Sequence, residues 1–230
     1  MSKSHYSDIL STIQSVRAEI QEVFPDLVVP SSQVMATVDP VLVKGHHIDH
    51  TLLKPDATES QIRTLVKEAI QYEFASVCVN GRWVSVVSEL LIGTTVKTCA
   101  VVGFPLGAIS SKVKAFETQT AIQDGATEID MVLSIGDVKS HSWKMVFQDI
   151  QTVVESASGF AMVKVILETG YLSEYEIIAS SIISTMAGAS FVKTSTGFSG
   201  TGATVHDVSL MKHTVGPDIE VKASGGIRTP

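Results

Sequence analysis

Seven short apolar runs recur along the chain, starting roughly every thirty residues, with segments of helical pattern between them. The runs are IDHTLL (48–53), ASVCVN (75–80), VKTCAVVG (96–103), EIDMVLS (128–134), MVKVILE (162–168), FVKTST (191–196) and IEVKAS (219–224). Of the intervening segments, ESQIRTLVKEAIQY (59–72), SKVKAFETQTAIQDG (111–125) and SEYEIIASSIISTMAG (173–188) read as helices, the last closing on a glycine stop. Strands and helices alternating at this period build right-handed βαβ units around a parallel sheet. Two architectures accept seven such units: a doubly wound sheet, or an eightfold barrel missing a piece.

The faces of the strands choose between them. Side chains alternate along a strand, so residues two apart share a face. In 162–168, Lys164, Ile166 and Glu168 oppose Val163, Val165 and Leu167. In 75–80, Ser76, Cys78 and Asn80 oppose Val77 and Val79. Asp130 stands between Ile129 and Met131, and Lys193 pairs with Ser195 against Val192 and Thr194. The apolar set of each strand suits a covering layer of helices. The charged set must then face a shared interior, which is how a (β/α)8 barrel builds its site near the C-terminal ends of its strands. The expected fold is therefore α/β, a TIM (β/α)8 barrel truncated after the seventh strand. Ahead of the barrel domain (46–230) lies an extension (1–45) with Ile9, Ile13, Val16, Ile20 and Val23 on one helical stripe, followed by Pro25 and Pro30. It reads as a helix or two packed across the barrel's bottom.

Lysines in buried strands need a reason, because a buried ammonium is costly unless it is paired, neutralised or used for chemistry. Lys193 and Lys222 sit in two successive strand-like runs. Burial and a neighbouring cation both depress an amine pKa and free the amine to attack a carbonyl. The competing reading makes each lysine a strand-end side chain reaching water or a member of a structural ion pair. Asp130 is likewise either a general acid/base facing an interior that holds lysines, or the static salt-bridge partner of Lys164 or Lys222.

Glycine-rich turns follow both lysine runs, STGFSGTG (195–202) and SGG (224–226). Such turns at the ends of late barrel strands expose backbone N–H groups that hold phosphate, although glycine loops are also simply turns. Neither matches a nucleotide-binding fingerprint. The cluster GHHIDHT (45–51) invites a metal reading, but neither face offers an inward His-x-His, so no metal is expected and Asp49 and Thr51 read as polar lining.

With 24 acidic against 17 basic residues and a net charge of −7, a broad nucleic-acid surface is not expected. No run approaches a membrane span, and MSKSHYSDIL lacks the apolar core of a signal peptide. Cys78 and Cys99 fall in apolar runs without CxxC or metal spacing, and read as reduced core thiols of a cytoplasmic protein.

In order along the chain, IDHTLLKPDAT, SVCVN, VVGFPLG, EIDMV, KVILETG, FVKTSTGF and VKASGGIRT resemble the motifs of the deoxyribose-phosphate aldolase family, over residues 48–229. The resemblance implies a TIM barrel and a class I aldolase, a lyase of deoxyribonucleotide catabolism. Such an enzyme reversibly cleaves 2-deoxy-D-ribose 5-phosphate to glyceraldehyde 3-phosphate and acetaldehyde, without metal or organic cofactor. By matching motifs, Lys193 would be the Schiff-base lysine, Lys222 a second lysine that lowers its pKa, and Asp130 the proton-relay acid/base. Asp49, Cys78 and Lys164 match pocket residues, and Gly197, Gly225 and Gly226 the phosphate cradle. The implied partner is a small phosphorylated sugar, with a homodimer as a compatible assembly.

The chain departs from the family in two places. It stops just after the seventh strand, although the family's eighth strand carries part of the phosphate site. Phe198 follows Lys-Thr-Ser-Thr-Gly where some members carry a phosphate-binding lysine. Weak phosphate affinity and reduced stability are the expected consequences. Two alternatives stay open: a Schiff-base aldolase for a related sugar phosphate, and a catalytically impaired aldolase-like fragment that binds a partner through open sheet edges or the N-terminal helix.

Overall fold

The computed structural model describes residues 3–30, 44–217 and 219–227. Seven strands form one parallel sheet: β1 (Asp49–Leu52), β2 (Ser76–Val79), β3 (Lys97–Val102), β4 (Glu128–Val132), β5 (Met162–Ile166), β6 (Phe191–Lys193) and β7 (Glu220–Lys222). Each strand lies beside its predecessor in the chain. A doubly wound sheet would reverse direction partway, so this order is that of a barrel wall. Among the described residues, neither β1 nor β7 has a second strand partner.

Helices cross between the strands: α2 (Glu59–Gln71), α3 (Val84–Leu90), α4 (Ser111–Gln123), α5 (Ile135–Lys139), α6 (Trp143–Ala157), α7 (Glu174–Met186) and α8 (Val205–Val215). Their starts follow from local chemistry. Thr58 and Gln61 close a capping box on α2, Ser173 and Glu176 do so on α7, and the Thr204 hydroxyl accepts from the Asp207 N–H at the start of α8.

The two faces of the sheet carry different material. Val77, Val79, Ala100, Ile129, Met131, Val163, Val165 and Val192 point outward into one large apolar core beneath the helices. Inside the curve a small separate cluster gathers Leu53, Cys78, Cys99 and Val101. The rest of that inner face is charged.

Before the barrel runs α1 (Lys3–Val23), whose Ile9, Ile13, Val16 and Ile20 are buried. Its neighbours are α7 above all, with α6 and α8 beside it. It thus lies on the outer ring of helices, not across the barrel's bottom where its stripe was expected to pack. The Arg17 guanidinium donates to the Thr214 carbonyl, Tyr175 donates its hydroxyl to Glu19 at 2.8 Å, and Phe24 meets Phe147. Covered by the sheet and by α1, α7 is buried over most of its circumference. Its buried Ser181 and Ser184 hydroxyls are satisfied by donating to carbonyls one turn back, at 2.7 Å each. Any second helix of the extension falls in 31–43, and the end of the last motif in 228–230, both outside the described residues.

Candidate active site

Parallel register brings the inward residues of successive strands to common heights. Asp130 of β4 pairs with Lys164 of β5, and Lys193 of β6 with Lys222 of β7. Asp130 sits at the centre. One carboxylate oxygen accepts from Lys193 Nζ at 2.6 Å and the other from Lys164 Nζ at 2.9 Å. Lys164 also donates to Glu128 Oε2 at 2.5 Å and lies 3.4 Å from Asp49. The Lys222 ammonium touches the same Asp49 carboxylate, so this ion pair links the two edge strands β7 and β1. Three carboxylates, Asp49, Glu128 and Asp130, thus face three amines, Lys164, Lys193 and Lys222. Buried charge is tolerable only when paired and hydrogen-bonded in this way.

The same network sets protonation. Burial alone would raise the Asp130 pKa, but Lys164 and Lys193 outweigh it and hold the carboxyl well below the usual range. Burial likewise works to lower Lys164 and Lys193, yet Asp130 and its neighbouring groups hold both amines above their ordinary value. Lys222 behaves differently: burial pulls it down to about 7, with the attached Asp49 carboxylate opposing that pull. The depression expected at Lys193 therefore falls on Lys222 instead: at Lys193 the charge and hydrogen bond of Asp130 outweigh burial, whereas at Lys222 burial prevails despite the Asp49 contact.

Above the lysines, the loops after β6 and β7 lock together. Thr194 donates its hydroxyl to the Ser224 carbonyl at 3.1 Å, Ser224 donates its hydroxyl to the Ser195 carbonyl, and the Ala203 N–H donates to the carbonyls of Ser224 and Gly225. Gly225 has φ +84°, and a Cβ there would stand 3.0 Å from the Gly202 Cα. The two backbones approach this closely only because both positions lack side chains. Glu168, buried at the end of β5 with φ +58°, straps the first loop from below by accepting from the Thr196 N–H, the Thr196 hydroxyl and Ser199. A non-glycine residue held in the left-handed region is strained and needs such anchoring. Gly197, with φ +84°, lies against Gly225, whereas Gly226 is exposed. Phe198 stacks edge-on with Phe104 at the rim.

The structure therefore brings Lys193, Asp130, Lys222, Lys164 and Asp49 into one network, with Cys78 on the adjoining inner wall. Thr51, in register with Cys78, is exposed, its hydroxyl donating to the Asp49 carbonyl at 2.8 Å. Of the histidines, His46 and His47 lie in an exposed 3-10 turn and His50 meets Glu68 at 2.7 Å. Sequence reasoning misses Glu128, and gives no part in the site to Glu168, which it places on the inner face, or to Cys99, which it reads as a core thiol. Glu128 stands two residues before Asp130, so strand alternation already placed the two on one face. A cavity of about 600 Å3, lined by Lys44, His46, Tyr72, Phe74, Lys97 and Glu128, opens at the opposite, N-terminal end of the strands. It meets the charge network only through Glu128, and the convergence of amines identifies the site more firmly than the size of that opening.

Comparison with known proteins agrees with this geometry. Residues 46–229 match the family model described as DeoC/LacD family aldolase. The chain is similar to the deoxyribose-phosphate aldolase of Streptococcus gordonii, 58% identical over 183 residues, covering 80% of this chain and 83% of that protein. It is 57% identical to the deoxyribose-phosphate aldolase of Clostridium novyi over 183 residues, 80% of this chain and 82% of the relative. Among solved structures, the tetrameric deoxyribose phosphate aldolase of Aeropyrum pernix superposes with a TM-score of 0.74 at 37% identity, over 80% of this chain and 78% of that one.

Proposed function

The chain belongs to the DeoC/LacD aldolase family, and on that premise we propose that it cleaves 2-deoxy-D-ribose 5-phosphate reversibly to glyceraldehyde 3-phosphate and acetaldehyde through a Schiff base on Lys193. It is a lyase of the class I type. The observation that carries the residue assignment is the buried Lys193 amine at the end of β6, bonded to Asp130 and in register with Lys222.

At rest the proton sits on Lys193, because Asp130 stabilises the ammonium. Lys222, brought down to about 7 by burial, has a proton affinity matched to neutral pH and takes the proton that Lys193 must lose. The freed amine attacks the aldehyde carbon of the open-chain sugar, and loss of water gives an iminium. Asp130 faces that cation as it faced the ammonium. Asp130, directly or through a water, takes the C3 hydroxyl proton as the C2–C3 bond breaks, and the electron pair flows into the iminium to leave an enamine. Glyceraldehyde 3-phosphate departs, the same relay returns the proton to C2, and water releases acetaldehyde and the lysine. Lys164, tied to Glu128 and Asp130, holds Asp130 in place and lines the pocket with Asp49 and Cys78. The phosphate rests on the loops of Gly197, Gly225 and Gly226.

A cytoplasmic homodimer belongs to the same proposal. Self-association is supported by the tetrameric relative, and the cytoplasmic location by two free thiols.

Borohydride trapping with acetaldehyde, followed by intact-mass analysis and peptide mapping, tests the assignment. A stable adduct on Lys193 that disappears in Lys193→Ala is expected. A folded protein that traps nothing, or an adduct on another lysine, would overturn it.

A further inference from the structure

Cys78 and Cys99 are 21 residues apart in sequence, as the numbering gives, yet they are direct register partners on the parallel strands β2 and β3. Both thiols point into the barrel and are wholly buried. Cys99 donates to an Asp130 oxygen at 3.2 Å. The two sulfurs and the Asp130 carboxylate oxygen all lie within 4.8 Å of one another. This is the one such cluster of metal-ligating groups among the described residues.

We propose that Cys78, Cys99 and Asp130 form a site for a thiophilic d10 cation such as Cd2+ or Zn2+, whose binding switches off chemistry at the neighbouring Lys193. The inhibitory half rests on the reading of Lys193 as the Schiff-base lysine.

Tetrahedral geometry with metal–sulfur bonds of about 2.3 Å and metal–oxygen bonds of about 2.1 Å needs ligand atoms some 3.5 to 4 Å apart, within the span already present. Soft thiolates favour such ions over Mg2+ or Ca2+. Charge also balances. One M2+ replaces the two thiol protons, which leave to water, so the net charge beside Lys164 and Lys193 is unchanged. Burial, the hydrogen bond with Cys78 and the Asp130 charge keep the Cys99 thiol protonated at rest, so affinity rises steeply with pH. The metal takes the Asp130 oxygen that Cys99 and Lys164 share. It draws off the charge that steadies the lysine cation and fills the wall against which the substrate would lie.

The test is titration of chelator-treated, reduced protein with CdCl2, followed by ultraviolet absorption and native mass spectrometry, with turnover and acetaldehyde trapping measured in parallel. One Cd2+ per chain, a thiolate-to-cadmium charge-transfer band, trapping lost in proportion to occupancy and recovered with chelator are expected. Cys99→Ala should lose the band and bind at least 100-fold more weakly. Should that variant fail to fold, Cys99→Ser keeps the hydrogen bond to Asp130 but not the soft ligand, and should lose the band too. A band that persists in either variant, or none in the parent protein, overturns the site. Full occupancy with undiminished trapping overturns the inhibitory role. Trapping absent before any metal is added would count against the Schiff-base reading, while the band alone decides the metal site.

Discussion

Lys193 and Lys222 occupy matched positions on adjacent parallel strands, and their surroundings drive their amines in opposite directions. Asp130 holds a proton on the first, while burial loosens it on the second. Two amines separated in this way can divide the work of nucleophile and base, and the rate should carry the signature of the more acidic one.

The expected pH profile of kcat/KM rises through a single ionisation near pH 7, as Lys222 becomes neutral and able to accept the proton. Lys222→Met should erase that limb, leave a rise only at alkaline pH, and lower turnover at pH 7 by about 100- to 10,000-fold. A variant that keeps the limb near pH 7 would remove Lys222 from the proton path.

Stability should respond to the same group. Below pH 7 Lys222 is charged in both folded and unfolded chains, and the folded state bears the full burial cost. Between pH 7 and the ordinary lysine value near 10.4, the unfolded chain binds more protons, so stability rises with pH. Relative to Lys222→Met, the wild-type chain should gain stability across that window, by at most about 5 kcal/mol and less to the extent that Asp49 compensates. Chemical denaturation at pH 6.5 and 9.5 measures the difference; a pH-independent gap would refute it.

Asp130→Asn leaves Lys164 and Lys193 facing a neutral amide in a dry interior. A loss of about 3 to 5 kcal/mol is expected, together with loss of turnover. Because the folded-state pKa of Asp130 is depressed, its contribution is complete above about pH 4 and fades as pH falls through the depressed value. Urea midpoints of the two proteins should therefore converge on acidification, and parallel curves would count against the linkage.

The glycine loops give a prediction about substrate recognition. Gly225→Ala places a methyl 3.0 Å from the Gly202 backbone at φ +84°, so the loops must part. A cost of about 1 to 3 kcal/mol is expected, with KM raised for the phosphorylated sugar but little changed for unphosphorylated 2-deoxyribose. Equal changes for both substrates would detach these loops from the phosphate.

Truncation within α1 should separate folding from chemistry. Ile13→Ala removes a wholly buried side chain and should cost about 2 to 5 kcal/mol. The trapping yield per folded molecule should stay unchanged. A lowered yield at full folding would tie α1 to the site.

Period-two alternation made the barrel legible, because charges such as Lys164 and Asp130 on otherwise apolar strands have only the interior to face. The cost of an ammonium in a buried strand then marked Lys193 and Lys222, and motif resemblance gave them roles. What escaped depended on distance along the chain. The carboxylate that raises Lys193 comes from β4, 63 residues earlier, and no local pattern links the two. Cys78 and Cys99 looked inert because metal-ligand spacing was sought along the chain, whereas adjacent strands supply it across the sheet. Nothing in the helical pattern of 111–125 singled out Lys114, which is fully buried on α4, donating to Asp149 and to the Val132 carbonyl at 2.8 Å. The place of α1 was misread because its apolar stripe specifies that it packs, not against what.

The docking of α1 on α7 also has a consequence for synthesis. The α1 helix is synthesised before the barrel and carries Ile9, Ile13, Val16 and Ile20 on its apolar stripe, while its main partner ends at Met186. At about 5 to 20 residues per second, that stripe stays uncovered for roughly 8 to 33 seconds while the wall of strands is assembled one neighbour at a time. The nascent chain should therefore be a chaperone client through most of its translation, released only once the fifth βα unit has emerged.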